Sequence, residues 1–208
     1  MAKRWFDVVV SFVGLIVAAP FLLGVAAAIR LVDGAPVFFR QRRLGRRGSP
    51  FILYKFRTMR SAPNGSTGSF DAGDTSRVTR LGRCLRKAKL DELPQLWNVL
   101  RGDMSLVGPR PEVERWVAVY QDRWARIHAI RPGITDPASI LYRHEEEMLS
   151  LASDPEGMYQ KVILPEKLAL YEEYLRTRTF WGDIGILLRT VGVVLAPYHS
   201  NPIGRDEP

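Results

Sequence analysis

Asp91 and Glu92 stand side by side in Lys89-Leu-Asp-Glu-Leu-Pro-Gln-Leu96, with Arg83, Arg86, Lys87 and Lys89 just upstream. Adjacent carboxylates amid cations suit phosphate chemistry. A carboxylate can attack phosphorus and carry the product as an acyl-phosphate. It can also help to hold Mg²⁺, which takes few protein carboxylates and shares substrate phosphate oxygens. Neighbours on a helix point about 100° apart, so the two carboxylates need not have one role. A structural reading competes, with Asp91 as an N-cap, Glu92 facing the helix dipole and Pro94 in the first turn. The surrounding cations favour the functional one, because a helix N-terminus with basic neighbours is a ready anion site.

Other stretches supply more cations. In Gly102-Asp-Met-Ser-Leu-Val-Gly-Pro-Arg-Pro-Glu112, Gly108 and two prolines fix the backbone around Arg110, whose guanidinium can grip phosphate bidentately. Lys55 and Arg57 close a strand-like run, and Arg131 opens the rigid turn Arg131-Pro-Gly-Ile-Thr135. An interhelix loop and a polar strand edge are the plain alternatives for these. No P-loop, G-x-G-x-x-G, zinc spacing or G-x-S-x-G is present. The three histidines, His128, His144 and His199, are scattered and give a histidine mechanism little support. Glu145-Glu-Glu147 reads as a solvated helix face rather than a metal site.

The elements that must position these residues begin with an uncharged apolar run, residues 8–29. As a straight helix it would measure about 33 Å, enough to cross a hydrocarbon core of about 30 Å. Pro20 sits in its middle and removes one helical hydrogen bond. Lys3 and Arg4 precede the run, and Arg30, Arg40, Arg42, Arg43, Arg46 and Arg47 follow it. A single span should be basic mainly on its cytoplasmic side, so two basic flanks favour a re-entrant helical hairpin, broken at Pro20, over a crossing helix. Beyond it, Val37-Phe-Phe-Arg40 and Phe51-Ile-Leu-Tyr-Lys-Phe56 predict a small β-hairpin around a basic turn. Residues 61–74 are a polar loop. Helical periodicity then dominates, with Val78, Leu81, Leu85 and Ala88 on one face, and later Val113, Trp116, Val117, Tyr120 and Trp124. Asp136-Pro137 and Pro165 mark helix starts, and residues 180–198 suit either core or membrane interface. The expected fold is mainly α with a small β-hairpin: a membrane-inserted helix-break-helix over residues 1–35, then a catalytic domain over 36–208 with interfacial helices.

The chain has 208 residues and 30 − 22 = +8 net charge, with 46% apolar residues, enough to exclude a disordered tail. Its one cysteine, Cys84, excludes an intramolecular disulfide and a multi-cysteine metal site. The charge alone fits nucleic acid, anionic lipid or phosphorylated substrates. Its distribution separates two populations of cations: those flanking the apolar run, facing inner-leaflet anionic lipids, and those around Asp91, facing substrate phosphates. Nucleic acid is thereby disfavoured, and the aromatics fall mostly on helical core faces rather than among basic residues. A metal-dependent lipid phosphatase stays open as a second enzyme reading.

Four ordered motifs, Lys55-Phe-Arg-Thr-Met59, Leu90-Asp-Glu-Leu-Pro-Gln-Leu96, Gly102 to Pro111 and Arg131-Pro-Gly-Ile-Thr135, resemble the signatures of bacterial sugar transferases. More narrowly they resemble the small monotopic polyprenyl-phosphate phosphoglycosyl transferases, over nearly the whole chain. That resemblance implies transfer of a phosphosugar from a nucleotide (UDP) sugar to polyprenyl (undecaprenyl) phosphate at the cytoplasmic face of the bacterial inner membrane, as the first membrane step of glycoconjugate or exopolysaccharide assembly. Asp91 would be the nucleophile, with UMP leaving. Glu92 would assist as metal or charge partner, with Mg²⁺ as cofactor. Arg86 and Arg110 match family positions near the phosphates, and Lys55, Arg57 and Arg131 are weaker matches. A homodimer is compatible with the sequence and not required by it. Two departures stand out: Ala19 precedes Pro20 where many relatives have Ser, and Asp136-Pro-Ala-Ser-Ile-Leu-Tyr-Arg143 replaces a Gly-Trp-Ala-Gln-Val-Asn-Gly-Arg continuation. The second bears on sugar identity.

Overall fold

The computed structural model describes residues 2–60 and 76–196; the polar stretch 61–74 and His199 lie outside the described residues. The first element, α1 (Ala2–Val32), is a single helix with Pro20 inside it. The two separate helices expected of a hairpin are not seen. Pro20 costs one backbone hydrogen bond, and a helix can absorb that loss without ending. Most of its apolar side chains are left uncovered by the rest of the chain, unlike those of a helix at the centre of a globular core. Trp5, Val9, Val13, Ile16, Val17 and Leu23 are all exposed.

Both ends of α1 are nevertheless docked on the rest of the chain. At its start, Arg4 donates to the carbonyls of Val99 (2.7 Å) and Leu100 (3.1 Å). Lys3 donates to the Val107 carbonyl at 3.1 Å and pairs with buried Asp183. Buried Asp7 accepts from the Ser105 hydroxyl (2.8 Å) and the Leu106 amide (3.2 Å). Lys3 and Arg4 therefore do not face headgroups as expected. The terminal carbonyls of a helix lack intrahelical donors, and Arg4 supplies two. Near the other end of α1, Val25 and Ile29 pack with Phe56 and Leu85, with Leu22, Ala26, Leu81 and Leu90 around them.

The β-hairpin is present as β1 (Phe38–Leu44) and β2 (Pro50–Phe56), antiparallel with Phe38 opposite Phe56 and a tight turn at Arg46–Gly48. Next comes α2 (Arg80–Lys87), whose N-cap Thr79 accepts from the Gly82 amide. A Cβ on Gly82 would lie 2.2 Å from the Thr58 carbonyl oxygen, so α2 rests directly on backbone. A 3-10 turn, Leu90–Glu92, leads into α3 (Gln95–Arg101).

Two three-residue strands not foreseen from sequence, β3 (Ser105–Val107) and β4 (Gly133–Thr135), pair in parallel. They bring two of the four motifs together. Between them lie α4 (Glu114–Val117) and α5 (Gln121–Ile127). After β4 come α6 (Pro137–Leu141), capped by Asp136 as expected, and α7 (Glu145–Ser150). The helix expected to open at Pro165 is α9 (Leu164–Thr177), with Pro165 in its first turn; it is preceded without a break by α8 (Pro155–Met158) and a π-helical segment. Trp116, Trp124, Tyr159, Leu164, Leu168 and Tyr171 form the largest core cluster.

The last element, α10 (Phe180–Leu195), half-buries Ile186 and Leu187 against the β3 core. Trp181, Leu188, Val191 and Leu195 stay exposed, and Phe180 meets Phe6 of α1 edge-on at 5.4 Å. An exposed apolar stripe beside α1 is what an interfacial helix presents.

The crossing of the motif strands is tight. A Cβ on Gly133 would fall 2.1 Å from the Gly108 amide nitrogen and 2.3 Å from its carbonyl oxygen. Gly133→Ala should therefore destabilise the protein by about 2–3 kcal/mol in denaturant unfolding. An unchanged midpoint would mean that the strands separate at little cost.

Candidate functional site

Lys89 adopts the left-handed conformation (φ 55°) and turns the chain from α2 into the 3-10 turn that carries Asp91 and Glu92. This turn, and not a helix N-cap, presents the pair: α3 begins after Pro94, and no side chain caps it. The N-cap reading of Asp91 therefore fails.

Glu92 is the electrostatic hub. Its carboxylate accepts from Lys55 at 2.8 Å and from both terminal nitrogens of Arg110, one at 3.1 Å. Lys55 comes from β2 and Arg110 from the loop after β3, so the two basic motifs converge on this carboxylate. Burial alone would raise the Glu92 carboxyl, but Arg110 and Lys55 outweigh it and hold the group well below the usual carboxylate range. For Lys55 burial dominates and lowers the ammonium below its ordinary value, with Glu92 opposing. For Arg110 burial also works against the charge, and Glu92 overcomes it.

Asp91 shares that burial but not the partners. It is 7% exposed and makes no hydrogen bond or ion pair with any described residue. Burial pushes its carboxyl up; Lys55, Lys89 and Arg86 pull it back, and Glu92 adds to the rise. A desolvated carboxylate with free lone pairs, close to cations but bonded to none, is available to attack.

The other expected ligands divide. Arg86, on α2, feels Asp91 but is already held by Thr58 (2.8 Å) and Glu146. Glu145–Glu147 is thus no plain solvated face. Glu145 pairs with Lys167, Glu146 with Arg86, and Glu147 lies 3.6 Å from His144. Arg57 stands apart from the carboxylates; its guanidinium donates to the carbonyls of Asp33 (2.6 Å), Gly34 (2.7 Å) and Ala35 (2.7 Å). Arg131 likewise donates to the Gly102 carbonyl at 2.7 Å, at the end of α3.

Besides Asp7 at the start of α1, three buried acids were missed from sequence. Asp136, besides capping α6, has its carboxyl raised by burial and feels Arg110 and Lys167. Glu112 joins Arg43 (2.7 Å) and the Tyr159 hydroxyl (2.6 Å) behind the Arg110 loop. Asp183 anchors Lys3 and Tyr174. The Asp136-Pro137 helix start was the one available signal, and it was read only as structure.

For a divalent cation, no cluster of three or more His, Cys, Asp or Glu occurs among the described residues. The donor set still fits Mg²⁺ in the form that borrows ligands from a substrate diphosphate, with Asp91 as the free carboxylate. Glu92 would have to release Lys55 or Arg110 to contribute.

Residues 1–197 match the bacterial sugar transferase family. The chain belongs to this family. Among its relatives, an uncharacterized sugar transferase of Bacillus subtilis, EpsL, is 39% identical over 193 residues, covering 93% of this chain and 87% of its own. A UDP-glucose:undecaprenyl-phosphate glucose-1-phosphate transferase of Caulobacter vibrioides is 39% identical over 199 residues, covering 94% of this chain and 70% of its own. A UDP-N-acetylgalactosamine-undecaprenyl-phosphate N-acetylgalactosaminephosphotransferase of Aeromonas hydrophila is 32% identical, covering 94% of this chain and 44% of its own. The names of these two bacterial sugar transferases carry different sugars, so family membership alone does not choose the sugar.

Proposed function

We propose that the protein transfers a phosphosugar from a UDP-sugar to undecaprenyl or a related polyprenyl phosphate by two displacements at phosphorus. The observation that carries this reading is the contrast within the pair: Asp91 buried and unbonded, Glu92 locked between Lys55 and Arg110. In the first step an Asp91 carboxylate oxygen attacks the sugar-bearing phosphorus, and the bond to the UMP oxygen breaks. In the second, an oxygen of polyprenyl phosphate attacks the same phosphorus and the aspartyl bond breaks. The carboxylate is regenerated and the lipid product is a polyprenyl-diphosphate-sugar. Glu92 holds Lys55 and Arg110 together beside the reacting phosphates, and Arg86, held by Thr58 and Glu146, adds positive charge near Asp91 from α2. Mg²⁺, held by Asp91 and diphosphate oxygens, would neutralise charge that accumulates on the leaving group.

The reading is tested by incubating the membrane-embedded protein with UDP-sugars, Mg²⁺ and polyprenyl phosphate. UMP release that depends on the sugar donor supports it. Release of inorganic phosphate without a donor would instead favour a lipid phosphatase.

The same reading places the protein on the cytoplasmic leaflet of the inner membrane, with α1 entering and leaving by one face. Its support is that residues near both ends of α1 contact the rest of the chain, Arg4 on α3 and Ile29 on Phe56 and Leu85. A helix of 31 residues spans about 46 Å, so its middle can be immersed while both ends stay at one surface only if it bends. Exposed Cys84 is first replaced, and single cysteines are placed at positions 2 and 64. In sealed inverted vesicles both should label from the same side; opposite accessibility would establish a crossing helix.

A further inference from the structure

Arg57 belongs to a motif whose resemblance implied phosphate binding, yet its guanidinium is spent elsewhere. It donates to three consecutive carbonyls, Asp33, Gly34 and Ala35, where the chain leaves α1. The same loop is gripped from the other side. The Thr79 hydroxyl donates to the Asp33 carboxylate at 2.8 Å while accepting from the Gly82 amide at 2.9 Å. Thr79 is the N-cap of α2, and α2 leads through Lys89 into the turn of Asp91. Leu90, next to Asp91, packs in the cluster of Val25 and Ile29 from α1. The exit of the membrane helix, the start of α2 and the backbone of the candidate nucleophile thus form one mechanically continuous unit.

We propose that Arg57 and Thr79 are positioning residues that fix the depth of Asp91 relative to the bilayer and thereby serve the lipid-acceptor step. This rests on the function proposed above. The physical ground is an asymmetry between the substrates. A nucleotide sugar arrives from water and reaches Asp91 at any height that stays open to water, whereas a polyprenyl phosphate holds its phosphate at headgroup level. A misplacement of about 1 Å costs up to about a hundredfold when the reacting atoms must meet in line. Loosening the clasp therefore penalises only the reaction with the partner whose height the membrane sets. A guanidinium that bound substrate phosphate would instead affect the donor step as well.

The test separates the two half-reactions in full-length protein reconstituted in liposomes. Arg57→Gln should lower kcat/KM for bilayer polyprenyl phosphate by about tenfold or more, while the acceptor-free burst of UMP and the KM for UDP-sugar stay within about twofold. Thr79→Val, which loosens the clasp without touching Arg57, should shift the acceptor step in the same direction. Arg57→Lys should restore part of the loss, because an ammonium still reaches carbonyls. In detergent, with a short-chain water-soluble acceptor, all three variants should match the wild type. The proposal is overturned if Arg57→Gln reduces the UMP burst as much as lipid transfer, which would make Arg57 a phosphate ligand. It is equally overturned if no variant changes transfer in liposomes. If the wild type itself releases no UMP from any UDP-sugar, the proposed function fails, and this inference goes with it.

Discussion

Asp91→Asn should eliminate UMP release, lowering kcat by on the order of 10⁴-fold or more, the scale seen when a covalent nucleophile is removed. The amide is nearly isosteric and Asp91 has no bonded partner among the described residues, so the fold should be unaffected. Unfolding midpoints of variant and wild type should agree closely. They need not be identical, because removing a buried charge relieves the desolvation that raises this carboxyl. The pH dependence adds a second, independent readout. Attack requires the ionised carboxylate, and burial raises the Asp91 carboxyl above its ordinary value. The rate should therefore fall on the acid side at a pH higher than a solvent-exposed aspartate would give. The wild-type enzyme trapped with UDP-sugar and no acceptor should carry a phosphosugar mass on the peptide containing Asp91, absent from Asp91→Asn. Full activity in that variant would remove Asp91 from the chemistry and leave Glu92, with its two ion pairs, as a poor substitute.

That Lys55 and Arg110 serve the same site as the Asp91-Glu92 pair was implied by the family resemblance of their motifs; nothing in their spacing gave the contact with Glu92. The division of labour within the pair was not legible either. Which carboxylate is bonded and which is free depends on Lys55 and Arg110 arriving on the Glu92 side, a tertiary fact with no local signal. Arg57 and Arg131 show the complementary difficulty. A guanidinium that binds backbone carbonyls has partners common to every residue, so sequence cannot distinguish it from one awaiting phosphate. The same holds for Lys3 and Arg4, which read as headgroup-facing cations and instead satisfy the carbonyls of Val107, Val99 and Leu100.

Backbone pairing was partly legible for a related reason. The β-hairpin announced itself through adjacent strand-forming runs and a basic turn. The parallel pair of β3 and β4 did not, since three residues are too few to establish a period. Its only trace was a glycine in each motif, Gly108 and Gly133, which the close crossing of the two backbones now accounts for. Pro20 misled in the opposite direction. Its missing N–H suggests a break, but one lost hydrogen bond within a helix of this length lets α1 continue through it.

Glu92→Gln should be the more damaging change for the folded state. It leaves two cations near a partner that no longer carries charge, and removing one member of a buried ion pair costs about 3–5 kcal/mol. Arg110 keeps 30% of its side chain exposed and Lys55 20%, so the lower end, about 3 kcal/mol, is expected. The pH dependence gives the sign. Glu92 has a folded-state value well below the ordinary one, so its stabilisation is fully present above the unfolded value, about 4.3, and is lost as pH falls through the depressed folded value. The gap in stability between wild type and Glu92→Gln should accordingly be largest at neutral pH and narrow only in strong acid. Activity should respond at the alkaline end. Lys55 is already lowered by burial and is sustained by Glu92. Without that carboxylate its ammonium loses its proton at lower pH, and the alkaline fall in rate should move toward neutrality. Restoring neither stability nor the alkaline limb, Lys55→Met added to Glu92→Gln should nonetheless cost less than the sum of the two single changes, because the second removes the cation that the first left unpaired. Strict additivity in that double-mutant cycle would show that Lys55 and Glu92 act separately, and that the hub assigned to Glu92 rests on Arg110 alone.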